Sequence, residues 1–145
     1  MKLFRFMSDE EYNKLTNNEV LFNNTKHTAR TNSIGFCFMD YEQYKPEDAV
    51  HFLSGIVSLD KCVIFETNKE LNKTYGEYAK PIEFTGNNGI DMINLFRRWE
   101  DTFTADEYCT TEYSLKDFKI LKIGTINFDD YYNECINWRR KNNDL

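Results

Sequence analysis

Apolar and polar positions along the chain trace a succession of short strands and helices. KLFRFM (2–7) is an apolar strand interrupted by one charge, Arg5. It runs into SDEEY, a capping box with Ser8 as N-cap, Glu11 at N3, and Met7 and Tyr12 in the staple positions. A short helix over 9–17 is therefore expected. NNTKHTARTN (23–32) is polar and without period, and reads as a mobile loop. SIGFCFM (33–39) is a second strand, apolar enough at its end to be buried on both faces.

KPEDAVHFLSGI opens a helix with Pro46 at N1 and acids in the first turn. Its stripe is Ala49, Phe52, Leu53 and Ile56. DKCVIFET (60–67) predicts a third, central strand, and 68–89 a loop with a short strand at IEF. Met92, Leu95, Phe96 and Trp99 mark another helical stripe. CTTEYSLKDFKILKIGTI contributes to two strands, 108–115 and 117–126. Asn127 then caps a last helix, with Phe128, Tyr131, Tyr132, Cys135 and Ile136 on one face. The order β α β α β (loop) α β β α, with no internal repeat or linker, predicts a single α+β domain over 1–145.

Composition narrows the function classes. The chain has 145 residues, 12 Phe and 9 Tyr, enough large side chains for a core and for stacking on a flat ligand. A net charge of −6 argues against general affinity for a nucleic-acid backbone. Cys37, Cys62, Cys109 and Cys135 form no CxxC pair, and the two histidines are His27 and His51, so the spacing offers no metal site. The N-terminus carries no secretory h-region and no apolar run is long enough to span a bilayer. A cytoplasmic protein with reduced thiols and no membrane partner is expected. Neither GxGxxG nor GxxxxGK[ST] occurs.

Three features hold candidate chemistry: Arg5 inside an apolar strand, GFCF, and Glu112 inside TTEYSL. A guanidinium can anchor phosphate bidentately, or simply snorkel from an edge strand. Strand interiors disfavour Glu, so Glu112 either shares a solvated face with Thr110 and Ser114 or has work to do. Glu107 and Glu112, five apart on one strand, would face opposite sides and make a poor glycosidase pair.

Taken in order, these segments resemble the mono-ADP-ribosyltransferase and poly(ADP-ribose) polymerase superfamily. LFRFM resembles its first strand, with Arg5 in the Arg/His position and Phe6 where Gly is common. SIGFCFMD is similar to the GIYFAD segment of polymerase-like members, with Cys37 in place of Tyr. TNS (31–33) loosely resembles the Ser-Thr-Ser motif of the arginine-type members, which makes Ser33 its candidate. KCVIFETN is similar to the strand that comes next, and TEYSLKDFKILKI to the Glu-Tyr strand and its successor.

The resemblance implies an ADP-ribosyltransferase-like arrangement of mixed sheets flanked by three to four helices. It implies an enzyme that takes NAD as co-substrate, releases nicotinamide and passes ADP-ribose to a macromolecular acceptor. Glu112 would be catalytic, bonding the ribose 2′-hydroxyl and offsetting the charge of an oxocarbenium-like state. Arg5 and Ser33 would bind the cofactor beside Phe6 and Gly35. Phe36, Phe38 or Tyr113 would wall the nicotinamide, with Phe36, Phe38, Phe52 or His51 able to replace the missing ring. Thr110 occupies the acceptor-selecting position, where a second Glu or Gln is common, and the loop 23–32 would close over the cofactor.

The alternative is a non-enzymatic, acidic inhibitor that binds and blocks a larger target protein through Asp9, Glu10, Glu11, Asp40, Glu42, Glu47 and Asp48.

Overall fold

The computed structural model describes residues 1–26, 33–53, 57–79, 85–97, 100, 102–125, 127, 130 and 133. Among these the chain is α+β, as expected: eight strands and three helices. The strands are β1 (Lys2–Met7), β2 (Leu21–Phe22), β3 (Phe36–Asp40), β4 (Lys61–Thr67), β5 (Asn72–Ala79), β6 (Thr102–Thr110), β7 (Glu112–Tyr113) and β8 (Phe118–Gly124). The helices are α1 (Asp9–Thr16), α2 (Pro46–Leu53) and α3 (Asn88–Arg97). A six-stranded antiparallel sheet runs β5-β6-β3-β1-β4-β8, and β2 and β7 pair in a separate ribbon.

Alternation along β1 splits the core in two. Leu3 and Met7 join Leu15, Leu21, Phe36, Phe38, Val63, Phe65, Tyr113 and Phe118 on one face. Phe4 and Phe6 join Met39, Cys62, Ile64, Ala105 and the α2 residues Ala49, Val50, Phe52 and Leu53 on the other. Arg5, between Phe4 and Phe6 in sequence, is thereby turned to the first face.

The capping box closes by half: the Glu11 N–H donates to Ser8 Oγ at 3.1 Å, but the Glu11 carboxylate is bound elsewhere. In α2, burial pushes the His51 imidazole down to about 4 from 6.5. The unfolded chain therefore takes up a proton below pH 6.5 that the folded one refuses until about pH 4. Stability is then lost as pH falls through that window, by about 3 kcal/mol at its lower end. Urea titrations at pH 7 and pH 4.5 should show this loss, and His51→Gln should remove most of it.

Two sequence expectations change. The region 68–89 contains β5, an eight-residue edge strand, rather than mostly loop. Its sequence, NKTYGEYA, carries charges and a Gly, as edge strands do, and so lacks a clear apolar face. The strand expected over 108–115 is two strands: β6 starts at Thr102 and stops at Thr110, the chain bends at Thr111, and β7 has only Glu112 and Tyr113. Continuous alternation would put Tyr113 and Ser114 on opposite faces, yet both are buried.

Ile56, the IEF segment, Trp99 and the apolar face of the last helix lie outside the described residues, as do the side chains of Met92, Leu95 and Phe96. The Asn127 cap is in place, its Oδ1 accepting from the Asp130 N–H at 3.2 Å. No helix among the described residues is long and apolar enough to cross a membrane.

Candidate functional site

Glu112 begins the short strand β7, directly across from Phe22 of β2, while Tyr113 lies across from Leu21. Residues opposite each other in an antiparallel pair share a face. The ribbon therefore has an inner face, Leu21 and Tyr113, sunk in the core, and an outer face, Phe22 and Glu112, open to solvent. Phe22 is 72% exposed, the largest exposure of any apolar side chain among the described residues.

The backbone under Glu112 is held from several sides. Thr110 Oγ1 donates to the Glu112 carbonyl at 2.9 Å, and Lys69 Nζ donates to the same oxygen at 2.6 Å. The Asn23 N–H donates to the Thr111 carbonyl at 2.9 Å. Gly35 (φ +87°) packs beneath: a Cβ there would overlap the carbonyl oxygens of Thr110 and Asn23, so only glycine fits. By contrast, the Glu112 carboxylate takes no hydrogen bond or ion pair from a described residue.

Beneath the ribbon, the Arg5 guanidinium donates from Nε and Nη2 to the two oxygens of Glu11 at 2.7 and 2.8 Å. Its Nη1 donates to the Cys37 carbonyl at 3.1 Å. Burial alone would lower the Arg5 pKa, but the hydrogen bonds and charge of Glu11 together outweigh it and raise it. Burial likewise opposes ionisation of Glu11, and bonds from Arg5 and Tyr113 overcome it to hold the carboxyl below its ordinary range. Tyr113 Oη donates to Glu11 Oε2 at 2.6 Å. The guanidinium also lies over the rings of Phe36 and Phe38, at 5.2 and 5.8 Å.

A second polar cluster lies on the opposite face of the sheet, built on Glu107. Ser33 Oγ donates to Glu107 Oε2 at 2.5 Å, Tyr78 Oη donates to Oε1, and Thr74 Oγ1 touches Ser33 Oγ. Glu107 is only 2% exposed. Burial, then the Glu107 charge, pushes the neighbouring Cys37 thiol up to about 12, leaving it unreactive. A Cβ on Gly76 would overlap Glu107 Oε1. Gly76→Ala should therefore pry the carboxylate from Ser33 and Tyr78 at a cost of about 2 kcal/mol, read as a fall of roughly 5 °C in Tm.

The residues singled out from sequence thus fall into separate groups. Glu112, Thr110 and Gly35 come together at the rim of the ribbon. Arg5 lies below it with its fork occupied, and Ser33 is turned to Glu107, so Arg5, Ser33 and Glu112 do not converge in one cleft. Phe36, Phe38 and Tyr113 pack on one another, with ring centroids 4.7 and 5.2 Å from Tyr113, and all three are buried. Phe6 and Phe52 belong to the core on the α2 face. Phe22 was not singled out, because one Phe beside a polar loop carries no period. The exposed aromatic next to Glu112 is this one. Residues 27–32 of the loop lie outside the described residues; its near end is tied to Thr111 at Asn23 and to Gly35 at Thr25.

No group of three or more His, Cys, Asp and Glu among the described residues is arranged to hold a metal. The fold and site thus define an α+β protein that displays one carboxylate and one aromatic ring on a short ribbon. No family model, no curated protein and no solved structure matches the chain.

Proposed function

We propose that the chain is an NAD-dependent ADP-ribosyltransferase, with Glu112 as the carboxylate that engages the ribose and a macromolecule as acceptor. One observation carries this reading: the backbone of Glu112 is fixed by Thr110, Lys69 and the Gly35 contact, while its carboxylate is left uncommitted on an open face. A carboxylate that is to stabilise a transient positive charge must not already be spent on a partner inside the fold. The resemblance of TEYSLKDFKILKI to the Glu-Tyr strand of that superfamily points to the same residue.

Within this reading, Phe22 supplies the flat apolar surface beside the carboxylate that the buried rings of Phe36, Phe38 and Tyr113 do not. Lys69 sets a cation against the Glu112 carbonyl. Thr110, at the acceptor-side position, also holds the Glu112 carbonyl. Three residues of the acidic-inhibitor reading are in ion pairs: Glu11 with Arg5 at 2.7 Å, Asp9 with Lys61 at 3.0 Å and Glu10 with Lys14 at 3.3 Å; of these Glu11 is turned into the fold.

An NMR titration of the labelled protein with NAD tests the reading. Shifts should gather at Phe22, Ile34, Gly35 and Thr110–Glu112, and Phe22→Ser should weaken binding about tenfold without lowering Tm. Shifts centred on α2 and β8, or none at millimolar NAD, would reject it.

A further inference from the structure

We infer that Tyr113 and Glu11, locked by Arg5, are positioning residues that set the direction in which Glu112 leaves the fold. The inference rests on the reading of Glu112 given above and goes beyond it. The β2–β7 ribbon has two residues a side, too few ladder bonds to hold an orientation by themselves. Side chains must therefore add stiffness, Thr110 and Lys69 at the Glu112 carbonyl and Tyr113 from the inner face. On the inner face, Tyr113 is packed edge-on against Phe36, Phe38, Phe65 and Phe118.

Those rings fix where the Tyr113 ring lies, but apolar contacts leave its hydroxyl end free of any directional constraint. The hydroxyl bond to Glu11 Oε2, at 2.6 Å, removes that freedom. Glu11 is itself immobile, because the Arg5 fork takes both of its oxygens and Arg5 is tied to the Cys37 carbonyl. The strut runs from β3 through β1 and the first turn of α1 to β7. It ends one residue from the free carboxylate.

Burial drives the Tyr113 pKa up, so the phenol stays protonated and donates throughout the working pH range. Arg5 then acts through Glu11 and Tyr113 and does not touch the dinucleotide. This assigns a use to the guanidinium buried in an apolar strand, and explains why the N3 carboxylate of α1 does not return to cap its own helix.

The conservative variant Tyr113→Phe keeps the ring and deletes the one bond. It should lower kcat for nicotinamide release about tenfold and leave the NAD KM within about twofold. Amide exchange should quicken about tenfold at Glu112 and Tyr113, while β1 and β4 stay protected. Glu11→Gln combined with Tyr113→Phe should lose no more than Glu11→Gln alone. A raised KM at unchanged kcat would place Tyr113 against the ligand and overturn the inference. So would equal loss of protection across the whole sheet, or no change at β7. If the wild type releases no nicotinamide, the enzyme reading fails by itself, and the exchange pattern of Tyr113→Phe still decides whether the strut holds β7.

Discussion

Glu112→Gln is expected to reduce nicotinamide release from NAD by about 10²–10³-fold or more, while the protein keeps its Tm and its affinity for NAD. The amide preserves shape and can still hydrogen-bond a ribose hydroxyl, but it carries no charge to oppose the cation forming at the anomeric carbon. Because the backbone bonds of Glu112 come from Thr110 and Lys69 and its carboxylate takes none from a described residue, the substitution disturbs no contact that supports the fold. Loss of activity with intact binding separates a role in the transition state from a role in binding. The equivalent change at the buried carboxylate, Glu107→Gln, should instead lower Tm, since Ser33 and Tyr78 both donate to it.

The largest expected effect on stability belongs to Arg5→Met. The substitution fills the same apolar strand position but leaves the Glu11 carboxylate, 17% exposed, without its partner. Removing one member of this part-buried pair costs about 3 kcal/mol, the lower end of the range for buried pairs, which for a chain of this size is a fall of roughly 10 °C in Tm. The double change Arg5→Met with Glu11→Met should recover most of the loss, because two apolar side chains leave no charge unpaired. Chemical denaturation of the two variants side by side measures this. If the single change left stability untouched, the bidentate geometry would not be holding α1 to the sheet.

How much of this was legible in the sequence depended on the local signal. β1, α1, α2 and β4 were readable because each carries its own period or cap: the alternation around Arg5, the Ser8 box, Pro46 at N1, and the VIF run of β4. β5 was not, because an edge strand with a polar outer side has no apolar pattern to show. Glu112 is out of place only in a single continuous strand over 108–115. The bend at Thr111, which Gly35 makes room for, moves it to the start of a separate ribbon, where an exposed Glu is unremarkable as a strand residue.

The placement of the residues marked from sequence was legible in part. Glu112, Thr110 and Gly35 were marked by the resemblance and do come together. Arg5 was marked as a ligand for phosphate, and its internal pairing could have been suspected from the box itself: Glu11, the residue expected to cap α1, follows Arg5 by six positions across the strand-to-helix junction. No sequence pattern announces that Ser33 and Glu107, 74 positions apart, will bond through a gap left by Gly76. Such long-range pairs depend on strand order, which a single sequence does not display.

The most direct test of the central claim is a measurement of free nicotinamide after the wild-type chain is incubated with labelled NAD, alongside Glu112→Gln. Nicotinamide release by the wild type is expected, with label carried to a macromolecule where an acceptor is present, and none above background from the variant. Wild type that releases no nicotinamide, or a Glu112→Gln variant that releases it at the wild-type rate, would contradict it.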